Sequence, residues 1–415
     1  MRRVAAGSIV KTRHEGAQLA LRCEVRAVNL AHASRASRLV APASAAFAAL
    51  LVAAASAHAG GAAPAQQRAT PDYAAIARKG VADSRRRWWN LSTNWYTDHL
   101  HGPAGDVATV WGVVHVFDSV SALAIAKPSK KRRLAVRKFA AVMEQYWSKN
   151  VHPHGAYTAQ LAGPDGDGPN YAFYDDNGWL GLAFVDAYRA TRNRRYLRDA
   201  ARALRFIDED GWDGERGVLW NQWDSSTSLA SYASATALAA ELYHYTESSK
   251  YRRIARRYLR WGDRHALKRS GLYATREHPA VSYVEGAMIG AHLALCREGD
   301  KRSCESAKRV ALASYRRFGR PRHRRYHAPQ FDAILFRYLL RLGDYDGDKR
   351  WFRWTQSAAD DALRNAREHG LFLRFWDGSK ITEHGHGEGQ FTYGRLCTHS
   401  GTVSVFAWLT AIPPP

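Results

Sequence analysis

Residues 187–197 read Ala187-Tyr188-Arg189-Ala190-Thr191-Arg192-Asn193-Arg194-Arg195-Tyr196-Leu197, and residues 242–252 read Leu242-Tyr243-His244-Tyr245-Thr246-Glu247-Ser248-Ser249-Lys250-Tyr251-Arg252. In each stretch a Tyr near the end of an apolar helical pattern is followed eight residues later by a Tyr that opens an Arg-rich one. The two copies are offset by 55 residues, and a third lies 53 further on, with Cys296 and Cys304 at the two Tyr positions. Self-similarity at this period marks stacked helical hairpins. Apolar spacing at i, i+3, i+4, as in Leu182, Val185 and Tyr188, predicts twelve helices. They are expected at 71–88, 106–126, 130–148, 175–192, 194–208, 226–247, 249–266, 282–298, 301–318, 328–342, 349–368 and 400–411. No long alternating strand pattern is present. An open array of hairpins needs polar caps at both ends. The last segment is instead apolar (Val403, Val405, Phe406, Trp408, Leu409), as expected of a helix that packs inside. The expected fold is all-α: an (α/α)6 barrel of six helical hairpins, formed by residues 71–412 as one domain. Its cleft lies at one end, built by the loops between hairpins.

Upstream of the barrel, Ser34-Arg35-Ala36-Ser37-Arg38 is followed by an uncharged stretch, Leu39 to Ala55, and by the small-x-small pattern Ala57-His58-Ala59. That order is a secretory signal, so residues 1–59 are expected to be removed near Ala59 and 60–70 to remain as a short tail. The chain carries 61 basic and 38 acidic residues, a net charge of +23. The basic residues are spread along many helix-like segments without a nucleic-acid motif, so no nucleic-acid partner is expected. Attraction to anionic glycans or surfaces is the surviving consequence.

The chemistry-bearing stretch is Tyr171-Ala172-Phe173-Tyr174-Asp175-Asp176-Asn177-Gly178-Trp179-Leu180-Gly181-Leu182-Ala183. Two adjacent carboxylates open a helix. Helix capping would account for one of them. It does not account for the flanking Tyr174, Asn177 and Trp179, groups suited to holding a sugar. Glycoside hydrolysis needs one ionised and one protonated carboxyl beside the scissile bond. Repulsion between neighbours is expected to raise the proton affinity of at least one. Close carboxyls also favour the short separation of a retaining mechanism.

The run from Tyr174 to Ala183 resembles the signature of family 76 glycoside hydrolases, the endo-α-1,6-mannanases. Weaker similarity continues through Asp186-Ala187-Tyr188, Gly217-Val218-Leu219-Trp220-Asn221, Ser282-Tyr283-Val284-Glu285-Gly286 and Phe331 to Leu339. The resemblance implies an (α/α)6 barrel, with Asp175 as nucleophile and Asp176 as general acid/base. It implies substrate contacts from Tyr174, Asn177, Trp179, Trp220, Asn221 and Tyr283. Two departures stand out: Val284 and Glu285 replace an amide pair, and Asn221 replaces a second Trp. Substrate contacts are expected to differ there.

Trp220 and Trp223 suit pyranose stacking or plain packing equally. His384-Gly385-His386-Gly387-Glu388 is glycine-flanked and lacks helical i, i+4 spacing, so no metal and no cofactor is expected. The repeat places Cys296 and Cys304 on either side of a tight helical turn, and a disulfide is expected there, with Cys397 a buried thiol. The expected protein is a secreted monomer that hydrolyses α-mannan. A transglycosylase on the same site and a non-catalytic glycan-binding barrel are the alternatives, and uronyl hydrolases or sugar epimerases share the barrel.

Overall fold

The computed structural model describes residues 71–102, 105–163, 171–319, 327–379 and 393–415. The export signal, the 60–70 tail and His384/His386 lie outside the described residues. Twelve α-helices are present among those described: α1 (Tyr73–Arg87), α2 (Val110–Ala126), α3 (Lys130–Met143), α4 (Tyr174–Thr191), α5 (Arg195–Asp210), α6 (Leu229–Thr246), α7 (Ser249–His265), α8 (Ser282–Arg297), α9 (Lys301–Phe318), α10 (Pro329–Asp346), α11 (Lys349–Asn365) and α12 (Leu396–Ala411).

Two kinds of helix alternate. α6, Leu-Ala-Ser-Tyr-Ala-Ser-Ala-Thr-Ala-Leu-Ala-Ala-Glu-Leu over its first fourteen residues, is small or apolar on every face and buried almost throughout. A helix apolar all round must be surrounded by protein. α2, α4, α8, α10 and α12 share this character, and together with α6 they form a closed inner ring. α7 is the opposite type. Its Ile254, Ala255, Tyr258, Leu259, Trp261 and Gly262 make one buried stripe, and its arginines take the outer face. α1, α3, α5, α9 and α11 are likewise outer helices. Small residues let the inner helices approach closely. Gly178 of α4 lies against Ser234 of α6, and Gly286 of α8 lies against the backbone of Leu335 in α10.

Five inner–outer pairs are tight hairpins, with turns that use left-handed residues such as Arg192, Glu247 and Gly347. The sixth pair is not a hairpin. It joins the two ends of the barrel: outer α1 packs on inner α12, where His399 Nε2 lies 3.1 Å from Gly80 O and the Tyr73 and Phe406 rings are 6.0 Å apart.

The loops from outer to inner helices carry four antiparallel two-stranded ribbons: β1 (Trp89–Asn90) with β2 (Trp95–Tyr96), β3 (Trp147–Ser148) with β4 (Ala156–Tyr157), β5 (Trp212–Asp213) with β6 (Gly217–Val218), and β7 (Arg367–Glu368) with β8 (Leu371–Phe372). Sequence periodicity runs 130–148 and 349–368 as unbroken helices. In the structure the first ends at Met143 and passes through a single 3-10 turn (Glu144–Tyr146) into a strand, and the second ends at Asn365 ahead of another strand. Two residues are too few to show an alternating pattern. The final helix begins at Leu396 rather than 400. Because every long loop precedes an inner helix, all of them gather at the N-terminal ends of the inner ring.

The Cys296 and Cys304 sulfurs are bonded across the α8–α9 turn, with Cα atoms 4.7 Å apart, and Cys397 is a buried thiol.

Candidate active site

Asp175 and Asp176 occupy the first turn of inner helix α4, at the loop end of the barrel, and both keep partial exposure. Residues 175, 179, 182 and 186 share one face of the helix. That face points along the barrel axis. Trp179, one turn below Asp175, has its ring 6.3 Å from Trp111 of α2 and 6.2 Å from Tyr283 of α8. Tyr283 stacks on Phe331 of α10 at 4.6 Å, and Phe331 stacks on Trp111 at 5.7 Å. Four inner helices thus supply an aromatic floor, and Asp175 lies one helical turn from its Trp179 member, toward the mouth. Trp111, Asp175 and Tyr283 are each the second residue of an inner helix. That common position is the signal by which Trp111, missed from sequence, is identifiable.

Deeper on the axis the barrel is closed by charge. Arg337 pairs with Asp186 and lies 3.5 Å from Asp118, and Arg189 Nη1 lies 3.0 Å from Asp186. Arg341 Nη1 lies 2.5 Å from Glu241. Removing one partner would leave an uncompensated buried charge, so this plug is a structural commitment.

α4 has no side-chain N-cap; Phe173 occupies that position. The backbone N–H groups of Asp175 and Asp176 donate instead to the Asp175 carboxyl. These bonds favour ionisation. Desolvation by burial opposes them and prevails, so the Asp175 carboxyl is pushed up to about 6. Repulsion between the neighbouring carboxylates, the cause expected from sequence, is not what raises it. Adjacent helical positions diverge by about 100°, so the two side chains point apart. Asp176 turns toward the α2–α3 side, where its charge, with that of Asp98, acts on the Tyr146 hydroxyl.

Three residues expected to touch substrate serve the scaffold instead. Asn177 is fully buried. The Tyr157 N–H donates to its Oδ1 (3.0 Å), and its Nδ2 donates to Tyr157 O and Phe173 O (both 2.8 Å). Tyr174 is also buried. Its ring faces outward onto Phe206 of α5 (4.9 Å), on the side of α4 away from the axis. Asn221 is buried, and its Oδ1 accepts the Trp223 and Asp224 N–H groups (2.8 and 2.7 Å), which closes a turn. The Trp220 carbonyl accepts the Tyr174 N–H at 3.1 Å, so half-buried Trp220 sits beside the α4 terminus. Trp223 is 40% exposed, with its ring 6.1 Å from Tyr171.

The Asn177 contact recurs around the ring. Glu285 and His399 are also fourth residues of inner helices, and each accepts one backbone N–H from the preceding loop. Glu285 Oε1 accepts from Tyr273 (2.9 Å), and His399 Nδ1 from Phe372 (3.1 Å). Glu285 is fully buried, and desolvation raises its proton affinity far above the ordinary carboxylate range. It is therefore a neutral acid, able to accept the Tyr273 N–H as an amide would. Val284 is equally buried. The departures at 284 and 285 consequently alter the scaffold, not the sugar-facing surface.

Residues 164–276, which include both aspartates, match the sequence profile of Glycosyl hydrolase family 76. No curated protein sequence matches the chain. Among solved structures, the family 76 α-mannanase of Bacteroides thetaiotaomicron superposes with a TM-score of 0.72 at 19% identity, over 83% of this chain and 96% of that one. An α-1,6-mannanase of Salegentibacter sp., inactivated by replacing two consecutive aspartates with alanine and bound to α-1,6-mannotetrose, superposes at 0.63 with 15% identity, over 82% and 100%. A sugar epimerase from a ruminal bacterium superposes at 0.59 with 11% identity, over 81% and 98%. The barrel is therefore common to different chemistries, and the aspartate pair has to discriminate among them.

Proposed function

We propose that this chain, a glycosyl hydrolase of family 76, is an exported retaining hydrolase of α-1,6-mannosidic bonds in mannan backbones. The observation that carries the reading is the Asp175–Asp176 pair at the mouth of the inner ring, above an aromatic floor. Consecutive aspartates are also the residues whose replacement inactivates the Salegentibacter enzyme. In this reading Asp175 attacks the anomeric carbon and Asp176 protonates the departing glycosidic oxygen. Asp176 then takes a proton from the water that releases the glycosyl–Asp175 ester. Trp179, Tyr283 and Trp111 present flat faces suited to a pyranose ring. The segment Leu39 to Ala59 directs export, and the first residue of the secreted protein tests that.

One observation favours exchanged roles. The proton affinity of Asp175 is raised, which is the attribute of an acid. Azide rescue separates the assignments. With azide, an alanine variant of the nucleophile yields a glycosyl azide of inverted configuration, and a variant of the acid/base yields one of retained configuration. Inversion for Asp175→Ala and retention for Asp176→Ala support the roles above; the reverse pattern exchanges them. Wild-type protein that releases no mannooligosaccharide from linear α-1,6-mannan refutes the function.

A further inference from the structure

The outer helices are unlike one another in charge. α5 carries four Arg against four acidic residues and α11 four Lys/Arg against two Asp, whereas α1 carries five Lys/Arg against Asp83 alone and α3 six with no acid. α7 carries seven Lys/Arg against Asp263 alone, and α9 six against Glu305 alone. These two are the outer members of successive hairpins. Arg256–Asp300 (3.0 Å) and Arg302–Asp263 (3.6 Å) tie them together. The acids between the two helices are thus engaged: Asp300 and Asp263 as above, and Glu298 with His244 Nδ1 at 2.7 Å. Arg252, Arg253, Arg260, Arg264, Lys308 and Arg309 stay exposed.

At the turn end, this wall borders an open cavity of about 360 Å³, lined by Arg252 and Arg256 of α7, Lys301 and Arg302 of α9, Glu298, Gly299 and Asp300 of the turn, and Tyr243 and Leu295 behind them. That volume falls within the range of small-ligand pockets. At the other end, about 25 Å away along α7, exposed Arg264, Lys268 and Arg269 lead into the loop that enters α8, at the mouth of the barrel. A positive strip therefore connects a cavity to the rim of the cleft. Like charges gathered this closely repel one another, and a polyanion relieves that repulsion while gaining steering from their summed field. Membrane binding by a helical face combines basic residues with an apolar wedge. The exposed large apolar residues among those described are Leu91, Leu134, Trp223 and Tyr345, none of them on this wall.

We propose that the α7–α9 wall is a second, non-catalytic carbohydrate site. Its cavity takes a phosphate- or carboxylate-bearing sugar of an anionic polysaccharide, and its strip holds the polymer while the mouth acts on mannan. That the polyanion is a glycan rests on the hydrolase reading; the charge complementarity does not. The test compares the wild type with Arg252→Glu/Arg302→Glu in the cavity and with Lys349→Glu/Arg353→Glu on α11, a control of equal charge change. Binding of phosphomannan and of polygalacturonate is measured at 20 and 200 mM salt. Wild type should bind at least one of them, with affinity falling steeply as salt rises. The cavity variant should lose at least tenfold and the control less than twofold. All three should hydrolyse neutral linear α-1,6-mannan at the same rate. The proposal is overturned if the wild type binds neither polymer, if both variants weaken equally, if the cavity variant binds as the wild type does, or if phosphatidylglycerol vesicles bind more tightly than either polysaccharide. Loss of mannan hydrolysis by the wild type would refute the assigned function while leaving the binding comparison readable.

Discussion

Gly286→Ala tests whether the inner ring is held by backbone approach at its mouth. A Cβ at Gly286 would lie 2.6 Å from Leu335 Cα, 2.8 Å from Leu335 N and 2.9 Å from Ile334 C. Carbon atoms in contact sit about 3.5–4.0 Å apart, so α8 and α10 must separate by roughly 1 Å. No rotamer relieves a clash with main chain. Overpacking costs about 1–3 kcal/mol, and a backbone contact belongs at the upper end of that range. Alanine recovers about 1 kcal/mol of helix propensity. The expected net loss is about 2 kcal/mol, with reduced hydrolysis because Tyr283 on the same helix shifts with the floor. Gly343→Ala in α10 is the opposite-sign control. Its Cβ would meet nothing closer than Asp348 O and Trp351 Cβ, both at 3.4 Å. There the propensity gain should survive as up to about 1 kcal/mol of added stability. Guanidinium unfolding followed by far-UV circular dichroism reads both. The reasoning fails if Gly286→Ala unfolds within about 0.5 kcal/mol of wild type, the scatter of an ordinary surface change, or if both variants shift in the same direction.

Glu285→Gln should leave stability unchanged near pH 4 and raise it increasingly toward pH 9. A carboxyl whose folded proton affinity is raised contributes fully below its unfolded pKa, and that contribution is lost as pH rises toward the folded one; a pH-independent difference would contradict a neutral buried acid. Activity should rise through about pH 6 as the Asp175 carboxyl ionises to become the nucleophile; a fall over the same range would exchange the two roles, and a kcat profile flat from pH 5 to 8 would remove that carboxyl from the mechanism. Asp175→Asn and Asp176→Asn should each cut turnover by at least about a thousandfold with unfolding midpoints no lower than wild type, which a binding-only role for either carboxyl would not produce. Cys304→Ser should lower stability by about 2–3 kcal/mol, the chain-entropy figure for a crosslink eight residues apart; equal unfolding midpoints with and without reductant would show that the crosslink does not form in solution.

The all-helical class, the hairpin repeat and the aspartate pair are properties of short stretches, and they were legible from sequence. Helical periodicity survives in any window of a dozen residues. The eight-residue Tyr–Tyr and Cys–Cys spacing exposes each turn, and consecutive acids opening a helix stand out wherever the helix goes. What each side chain faces is a different kind of information. Tyr174, Asp175, Asp176 and Asn177 are four consecutive residues in one motif, yet they point in four directions about 100° apart. α5 lies beyond Tyr174, the barrel axis beyond Asp175, the α2–α3 side beyond Asp176 and the backbone of Tyr157 beyond Asn177. Resemblance to a motif treats the four alike; only the packing of α4 between its neighbours separates two that face the cleft from two that hold the barrel. The same holds for Glu285, a substitution that looks like a change of substrate contact until its burial beneath the Tyr273 loop is seen. The aromatic floor draws Trp111, Trp179, Tyr283 and Phe331 from four helices spread over 220 residues. No local pattern links them, because what brings them together is closure of the inner ring, and closure depends on inner helices α2 and α12, near opposite ends of the described chain, meeting each other.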